Sequence, residues 1–236
     1  GEKGRTAFSI YRMDDRDRGL LVWLIFCGAY VFCGVLAGGV WAGAWLLLRG
    51  APGPVRAAVC AAAPWLVTGF MHLDGYMDVC DAVLSRRDLA TRQRILKDSH
   101  CGAFAVICMV LLAMGQWSLF LAAEDVSWLG LLLIPAATRA CAGLAVLGLR
   151  PMGTSQYAAM GPARGGYGAA LWVLLALSVG LPLWLDGSFG PLAAAAGYGL
   201  AVWYGFRNLD GMSGDISGFA LTIGELCGCG AAILWR

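Results

Sequence analysis

Charge is scarce in this chain. Only 14% of its 236 residues are Asp, Glu, Lys or Arg, against about 25% in ordinary soluble domains. Hydrophobic residues make up 59%, where about 45–50% is usual. That imbalance excludes a typical soluble enzyme, and a mean hydropathy of +0.70 points to an integral membrane protein. The net charge of +2 says little, because placement of charge matters more than its sum, and no nucleic-acid partner is expected. Cys-x-x-Cys pairs are missing, although there are nine cysteines. Cys227 and Cys229 alone are too few and too close for a zinc site. Most others (Cys27, Cys33, Cys60, Cys108, Cys141) sit in apolar runs, where a free thiol packs as a small hydrophobe. The two histidines, His72 and His100, have no Ser or Cys at a recognisable spacing, so no nucleophilic triad is expected. The first nineteen residues are charged rather than apolar, so no cleavable signal peptide is expected. No internal repeat or low-complexity segment is evident.

What is present is a series of long apolar runs. Residues 20–48 carry no charge, more than the ~20 residues that span a hydrocarbon core, and predict one long tilted helix. Residues 49–56, with Pro52, Gly53 and Pro54, predict a turn. Residues 57–71 are short for a span unless the helix continues beyond them. Further spans are expected at 103–123, 126–149, 169–185, 191–206 and 216–235. The whole reads as an all-α, polytopic membrane helix bundle of about seven transmembrane helices, a single transmembrane catalytic domain over 1–236 with a polar arm at 1–19. Lys/Arg bias orients it. Seven spans place residues 72–102, 150–168 and 207–215 on one side with Arg86, Arg87, Arg92, Arg94, Lys97, Arg150, Arg164 and Arg207. Glu124, Asp125 and Asp186 fall on the other, where only Arg49 and Arg56 add positive charge. The first side is therefore expected to be cytoplasmic.

Residues 71–102 form a polar island in this apolar chain. They hold Asp74, Asp78, Asp81, Asp88 and Asp98, five of the seventeen Lys/Arg, and both histidines. On a helix, Asp74, Asp78 and Asp81 fall at i, i+4 and i+7, a stripe roughly 60° wide. Like charges so placed repel unless a cation sits among them. Carboxylate oxygens are the donors a hard divalent ion takes, and Mg²⁺ combines one or two of them with substrate phosphates. The alternative is a solvated juxtamembrane face, which the cost of carboxylates near membrane depth disfavours. Gly75 lets another group approach the backbone closely.

Arg86, Arg87, Arg92, Arg94 and Lys97 form a basic cluster that fits anionic phosphates. The same cluster also fits a topology signal or lipid headgroups, and the two readings stand open. Asp98 is placed to meet the aspartate stripe across a turn. His72 lies nearly opposite the stripe, as fits a hydrogen-bonded histidine better than a metal ligand. A second polar stretch runs from 208 to 218, NLDGMSGDISG. Its glycines allow a tight backbone that presents Asp215, Ser213 and Gly214 to a phosphate or its metal, though a plain glycine-rich turn reads the same. Arg139 and Glu225 lie deep in apolar runs, either as functional groups or as each other's partner.

The segments HLDGYMDVCDA, LKDSHCGAF and GMSGDISG together resemble the cobalamin synthase family of adenosylcobinamide-GDP ribazoletransferases. That family's pattern is His-x-Asp-Gly-x-x-Asp-x-x-Asp, then Lys-Asp-Ser-x-x-Gly, then a late Gly-Gly-x-Thr-Gly-Asp-x-x-Gly. His72, Asp74, Gly75, Asp78 and Asp81 match the first; Lys97, Asp98, Ser99 and Gly102 the second; Gly211, Ser213, Gly214, Asp215 and Gly218 most of the third. Pro135 and Arg139 resemble its mid-chain Pro-x-x-x-Arg, and Phe8-Ser9 its opening. The chain departs at His100, where Arg is usual, at Arg12 to Asp15, and at Thr222, where the first of two glutamates is usual.

The resemblance implies a membrane phosphotransferase. A hydroxyl of α-ribazole (or its 5′-phosphate) attacks the cobinamide-linked phosphorus of adenosylcobinamide-GDP, releasing GMP. Asp74, Asp78, Asp81, Asp98 and Asp215 are then the candidate catalytic residues, and Asp74, Asp78, Asp81 and Asp215 the candidate Mg²⁺ ligands. Which is base and which is ligand stays open. His72, Gly75, Arg86, Arg87, Lys97, Ser99, Arg139, Ser213 and Gly214 are the candidate substrate contacts. A multi-pass protein of a bacterial or archaeal cytoplasmic membrane is implied, with lipid around it and its oligomeric state, a homo-oligomer included, left open. Two other classes compete. A CDP-alcohol-type lipid phosphotransferase uses a similar aspartate layout, but its Asp-x-x-Asp-Gly-x-x-Ala-Arg signature is absent. An ion-coupled transporter would use the carboxylates as a cation site.

Overall fold

The computed structural model describes residues 15–153, 155 and 168–235, with backbone alone for 15–27 and 31. Residues 1–14 of the expected polar arm, including Phe8-Ser9, and most of the 150–168 connection with Arg164 lie outside them. The described residues form helices α1 (Asp15–Leu47), α2 (Gly53–Val67), α3 (Met71–Leu84), α4 (Leu89–Ile95), α5 (Ala103–Ala122), α6 (Trp128–Gly148), α7 (Gly168–Asp186), α8 (Gly190–Leu209) and α9 (Gly214–Leu234). Among them there is no strand, only an isolated bridge between Pro151 and Met212. The all-α membrane bundle is as expected, and the first apolar run is one helix.

Five helices are long and apolar enough to cross a membrane, or six if the bent pair α2–α3 counts as one span. About seven were expected. The difference is α8, which has the length but not the hydropathy. Its sequence is rich in Gly and Ala and ends in Arg207 and Asn208.

The bend between α2 and α3 was not visible in the sequence. α2 stops in a left-handed turn: the Gly69 N–H donates to the Leu66 carbonyl (3.1 Å) and the Phe70 N–H to the Trp65 carbonyl (2.9 Å). This paired closure is the Schellman motif. Gly69 supplies its positive φ of 58° without the steric cost a side chain would bring. Phe70 follows with φ 63°, and α3 leaves at 92° to α2. The aspartates therefore ride on a short helix set across the bundle.

Two apolar cores hold the helices together. One, with Trp41, Trp45, Phe120, Leu131 and Ile134, lies away from α3. The other packs α3, α8 and α9 through Leu73, Tyr76, Tyr198, Ile216 and Phe219.

The polar loops sort to two ends, as charge bias led us to expect. At one end Arg92 donates to Asn208 (3.0 Å) and Gln93 to the Leu209 carbonyl (2.8 Å). Met152 and Met212 join the 150s loop to the 210s loop (2.9 Å), and Arg150 pairs with Asp210. At the other end Arg49 approaches Asp125 (3.8 Å), Arg56 donates to the Ala123 carbonyl (3.1 Å), and Ser127 donates to Asp186.

Candidate active site

α3 meets α9 where both helices carry glycine. A Cβ at Gly75 would stand 2.8 Å from the Asp215 carbonyl oxygen, and one at Gly218 would stand 3.0 Å from the His72 carbonyl oxygen. The first is closer than real Cβ contacts come and the second is tighter than most, so the absence of side chains lets the two helices cross this closely. On the flank, Tyr76 stacks on Phe219 with ring centroids 5.8 Å apart, and its hydroxyl donates to the Cys108 carbonyl of α5 (3.2 Å). Gly75→Ala should push α3 off α9 and cost about 1–3 kcal/mol, the usual range for overpacking. Thermal unfolding of the detergent-solubilised variant, alongside its turnover, checks this.

The crossing brings carboxylates from both helices together. Asp78 is half-buried, and the charges that bear on it come from Asp74, Asp215 and Asp81. Asp215, in the first turn of α9, is within electrostatic range of Asp74 and Lys97. Ser213 caps α9 by accepting from the Ile216 N–H (3.3 Å), and its hydroxyl lies 3.5 Å from Asp215 Oδ2. Farther along α3, Asp81 turns toward Gly102 at the start of α5, where any Cβ would collide with its carboxylate.

Asp98 does not join this row. Its carboxylate is exposed and turned to His100, 2.6 Å from Nδ1 and 3.0 Å from the backbone N–H. Those hydrogen bonds hold the Asp98 carboxyl below its ordinary pKa. The reason is local: a short turn lets Asp98 bond two residues ahead in its own loop, and nothing draws it across to α3. Ser99 is exposed in the same bend. Arg86 and Arg87 are exposed in the turn after α3, Arg86 at φ 53°. The basic cluster thus divides. Arg92 docks α4 to α8, and Lys97 bears electrostatically on Asp215.

Beneath the carboxylates lies a buried polar network. Arg139 of α6, 2% exposed, forms an ion pair with Glu225 of α9. Its other arm donates to His72 Nδ1 (3.3 Å), and its Nε, itself buried, has no hydrogen-bond partner among the described residues. Thr222 donates to the His72 carbonyl (3.3 Å). So Arg139 and Glu225 are each other's partner, and His72 is a hydrogen-bonded histidine at the base of α3. Thr222 was noted in the sequence only as a departure from the family pattern and was given no role in the site. Its signal is the spacing of Gly218, Thr222 and Glu225 along one face of α9.

Between α1, the α2–α3 bend, α6 and α9 opens a cleft of about 490 Å³. Its wall on α1 includes Tyr30 and Leu36, its rim Asp74 and Asp215, and its floor His72 and Arg139; Gly214 also lines it.

Among the described residues, no three Asp, Glu, His or Cys side chains converge on one point as a ready-made metal site. The donors nonetheless fit a hard divalent cation. Four carboxylates share one field, and an ion held by one or two of them with substrate phosphate oxygens is how Mg²⁺ is usually bound.

Fold and site together define a polytopic membrane protein with a carboxylate row beside a cleft between its helices. The chain belongs to the cobalamin-5-phosphate synthase family, whose model matches residues 22–233. Among its relatives, the adenosylcobinamide-GDP ribazoletransferase of Clostridium perfringens (strain 13 / Type A) is 32% identical over 229 residues, covering 92% of this chain and 88% of the relative. The protein of the same name from Thiobacillus denitrificans is 36% identical over 203 residues, 80% of this chain and 78% of the relative. That from Halalkalibacterium halodurans is 42% identical over 125 residues, 50% and 46% respectively. No solved structure matches the chain.

Proposed function

We propose that this protein is an adenosylcobinamide-GDP ribazoletransferase, a membrane phosphotransferase that joins α-ribazole or its 5′-phosphate to adenosylcobinamide-GDP. The observation that carries the reading is the meeting of two distant motifs: Asp74, Asp78 and Asp81 on α3 share one electrostatic field with Asp215 on α9. The names of the relatives agree with it. Nothing in the fold or the relatives favours a lipid phosphotransferase or a transporter.

In the reaction a ribose hydroxyl attacks the cobinamide-linked phosphorus. A new O–P bond forms, the bond to the bridging oxygen breaks, and GMP leaves with the electron pair. The hydroxyl proton passes to a carboxylate, for which Asp74 and Asp215 at the cleft rim are the candidates. Lys97 offers a donor to the phosphate oxygens beside Asp215. Mg²⁺, held by one or two of Asp74, Asp78, Asp81 and Asp215, would supply neutralisation of the diphosphate charge. The site end carries Arg86, Arg87, Arg92, Arg94, Lys97, Arg150 and Arg207. This excess of basic residues supports a cytoplasmic-facing site in a bacterial membrane.

The test is GMP release by purified, detergent-solubilised protein. With adenosylcobinamide-GDP, α-ribazole and Mg²⁺, GMP should appear in step with the cobalamin product, and chelation should stop it. Protein that moves a cation in vesicles but releases no GMP would sink this reading.

A further inference from the structure

The cleft has two kinds of wall, and the two substrates differ in a way that matches them. Tyr30 and Leu36 of α1 and Leu221 of α9 make one side apolar and partly aromatic. Asp74 and Asp215 at the rim are acceptors, which suit the hydroxyl donors of a sugar. Arg139, buried, lines the floor, where its guanidinium pairs with Glu225 and donates to His72. The volume of about 490 Å³ lies within the ~300–1,000 Å³ of small-molecule sites. It holds a two-ring base with one sugar, but not a corrin macrocycle carrying a nucleoside diphosphate.

We propose that this cleft binds the smaller substrate, the benzimidazole ribonucleoside. Its flat base lies against Tyr30, Leu36 and Leu221. Its ribose hydroxyls face Asp74 and Asp215. The corrinoid diphosphate stays outside, along the row that continues through Asp78 to Asp81 and the open end of the bundle. Attacking oxygen and phosphorus then meet at the rim, where Asp74 and Asp215 stand. This assignment rests on the transferase reading, and it adds which substrate goes where.

Filling the apolar wall separates the substrates. Leu36 is exposed on α1, so Leu36→Trp narrows the cleft without disturbing a packed core. The KM for α-ribazole should rise about tenfold or more, while kcat and the KM for adenosylcobinamide-GDP stay within about twofold. A KM rise for the corrinoid alone, or equal rises for both, overturns the proposal.

A second measurement needs neither turnover nor a variant. Cys33 lines the cleft and is exposed, whereas Cys227 is exposed on α9 and does not line it. α-Ribazole alone should slow alkylation of Cys33 but not of Cys227, read by peptide mass spectrometry. Equal labelling with and without α-ribazole overturns the assignment. Wild-type protein that releases no GMP would defeat the transferase reading, and Cys33 protection would still decide the occupant of the cleft.

Discussion

Asp78→Asn should lower kcat by about 10³-fold, the scale on which removing one preorganised electrostatic group acts, and leave the protein as stable as the parent or slightly more so. The two signs oppose each other for one reason. Asp78 is half-buried and faces three other carboxylates, Asp74, Asp215 and Asp81. Before any cation or substrate arrives, that crowding costs free energy, and a neutral amide of the same shape relieves part of it. A cation on the row, however, gains from every charge there. The substitution therefore weakens whatever positive charge the reaction recruits, and the Mg²⁺ concentration needed for half-maximal turnover should rise. GMP release across a Mg²⁺ titration, paired with thermal unfolding in detergent, checks both halves. A variant that turns over normally removes Asp78 from the site. One that loses activity only together with its fold makes Asp78 a structural residue.

The row was legible because its logic is local. Asp74, Asp78 and Asp81 are spaced for one helix face, and a periodicity of 3.6 needs no tertiary information. The gathering of three polar loops at one end was legible too, since Lys/Arg bias is a count over loops. The rest depends on how helices cross. The 92° turn at Thr68 to Phe70 follows from one glycine closing α2, and nothing in the composition distinguishes it from a continuing span. The cleft joins Tyr30 to Leu221, residues almost a whole chain apart, so no local pattern marks it. Asp98 went wrong in the opposite direction. Expected to reach across to α3, it was captured by its own loop through His100. Helix α8 was counted as a span from the apolar run at 191–206, yet Gly, Ala and a polar end leave it short of the hydropathy of the others.

Arg139 and Glu225 should give the largest stability effects in the molecule. Arg139→Met leaves Glu225, 5% exposed, as an uncompensated charge within a membrane helix. Glu225→Met leaves Arg139 in the same state. Each single change should cost about 3–5 kcal/mol, the range for breaking one side of a buried pair. The double variant Arg139→Met/Glu225→Met removes both charges and fills similar volume with flexible apolar side chains. It should recover most of the loss, because the desolvation penalty of the pair disappears with the pair. The coupling from the double-mutant cycle should then be several kcal/mol, far above the ~0.5 kcal/mol scatter of independent sites. Thermal unfolding of the four proteins in one detergent measures it. Additive losses would mean that the two charges do not meet. Activity should follow a different pattern from stability: the double variant folds but stays impaired, because His72 has lost the Arg139 donor and the cleft floor its only guanidinium. A pair retained for stability alone would predict full activity once the fold is restored. A group that also faces substrate predicts a folded, slow enzyme, and that separation is the result we expect.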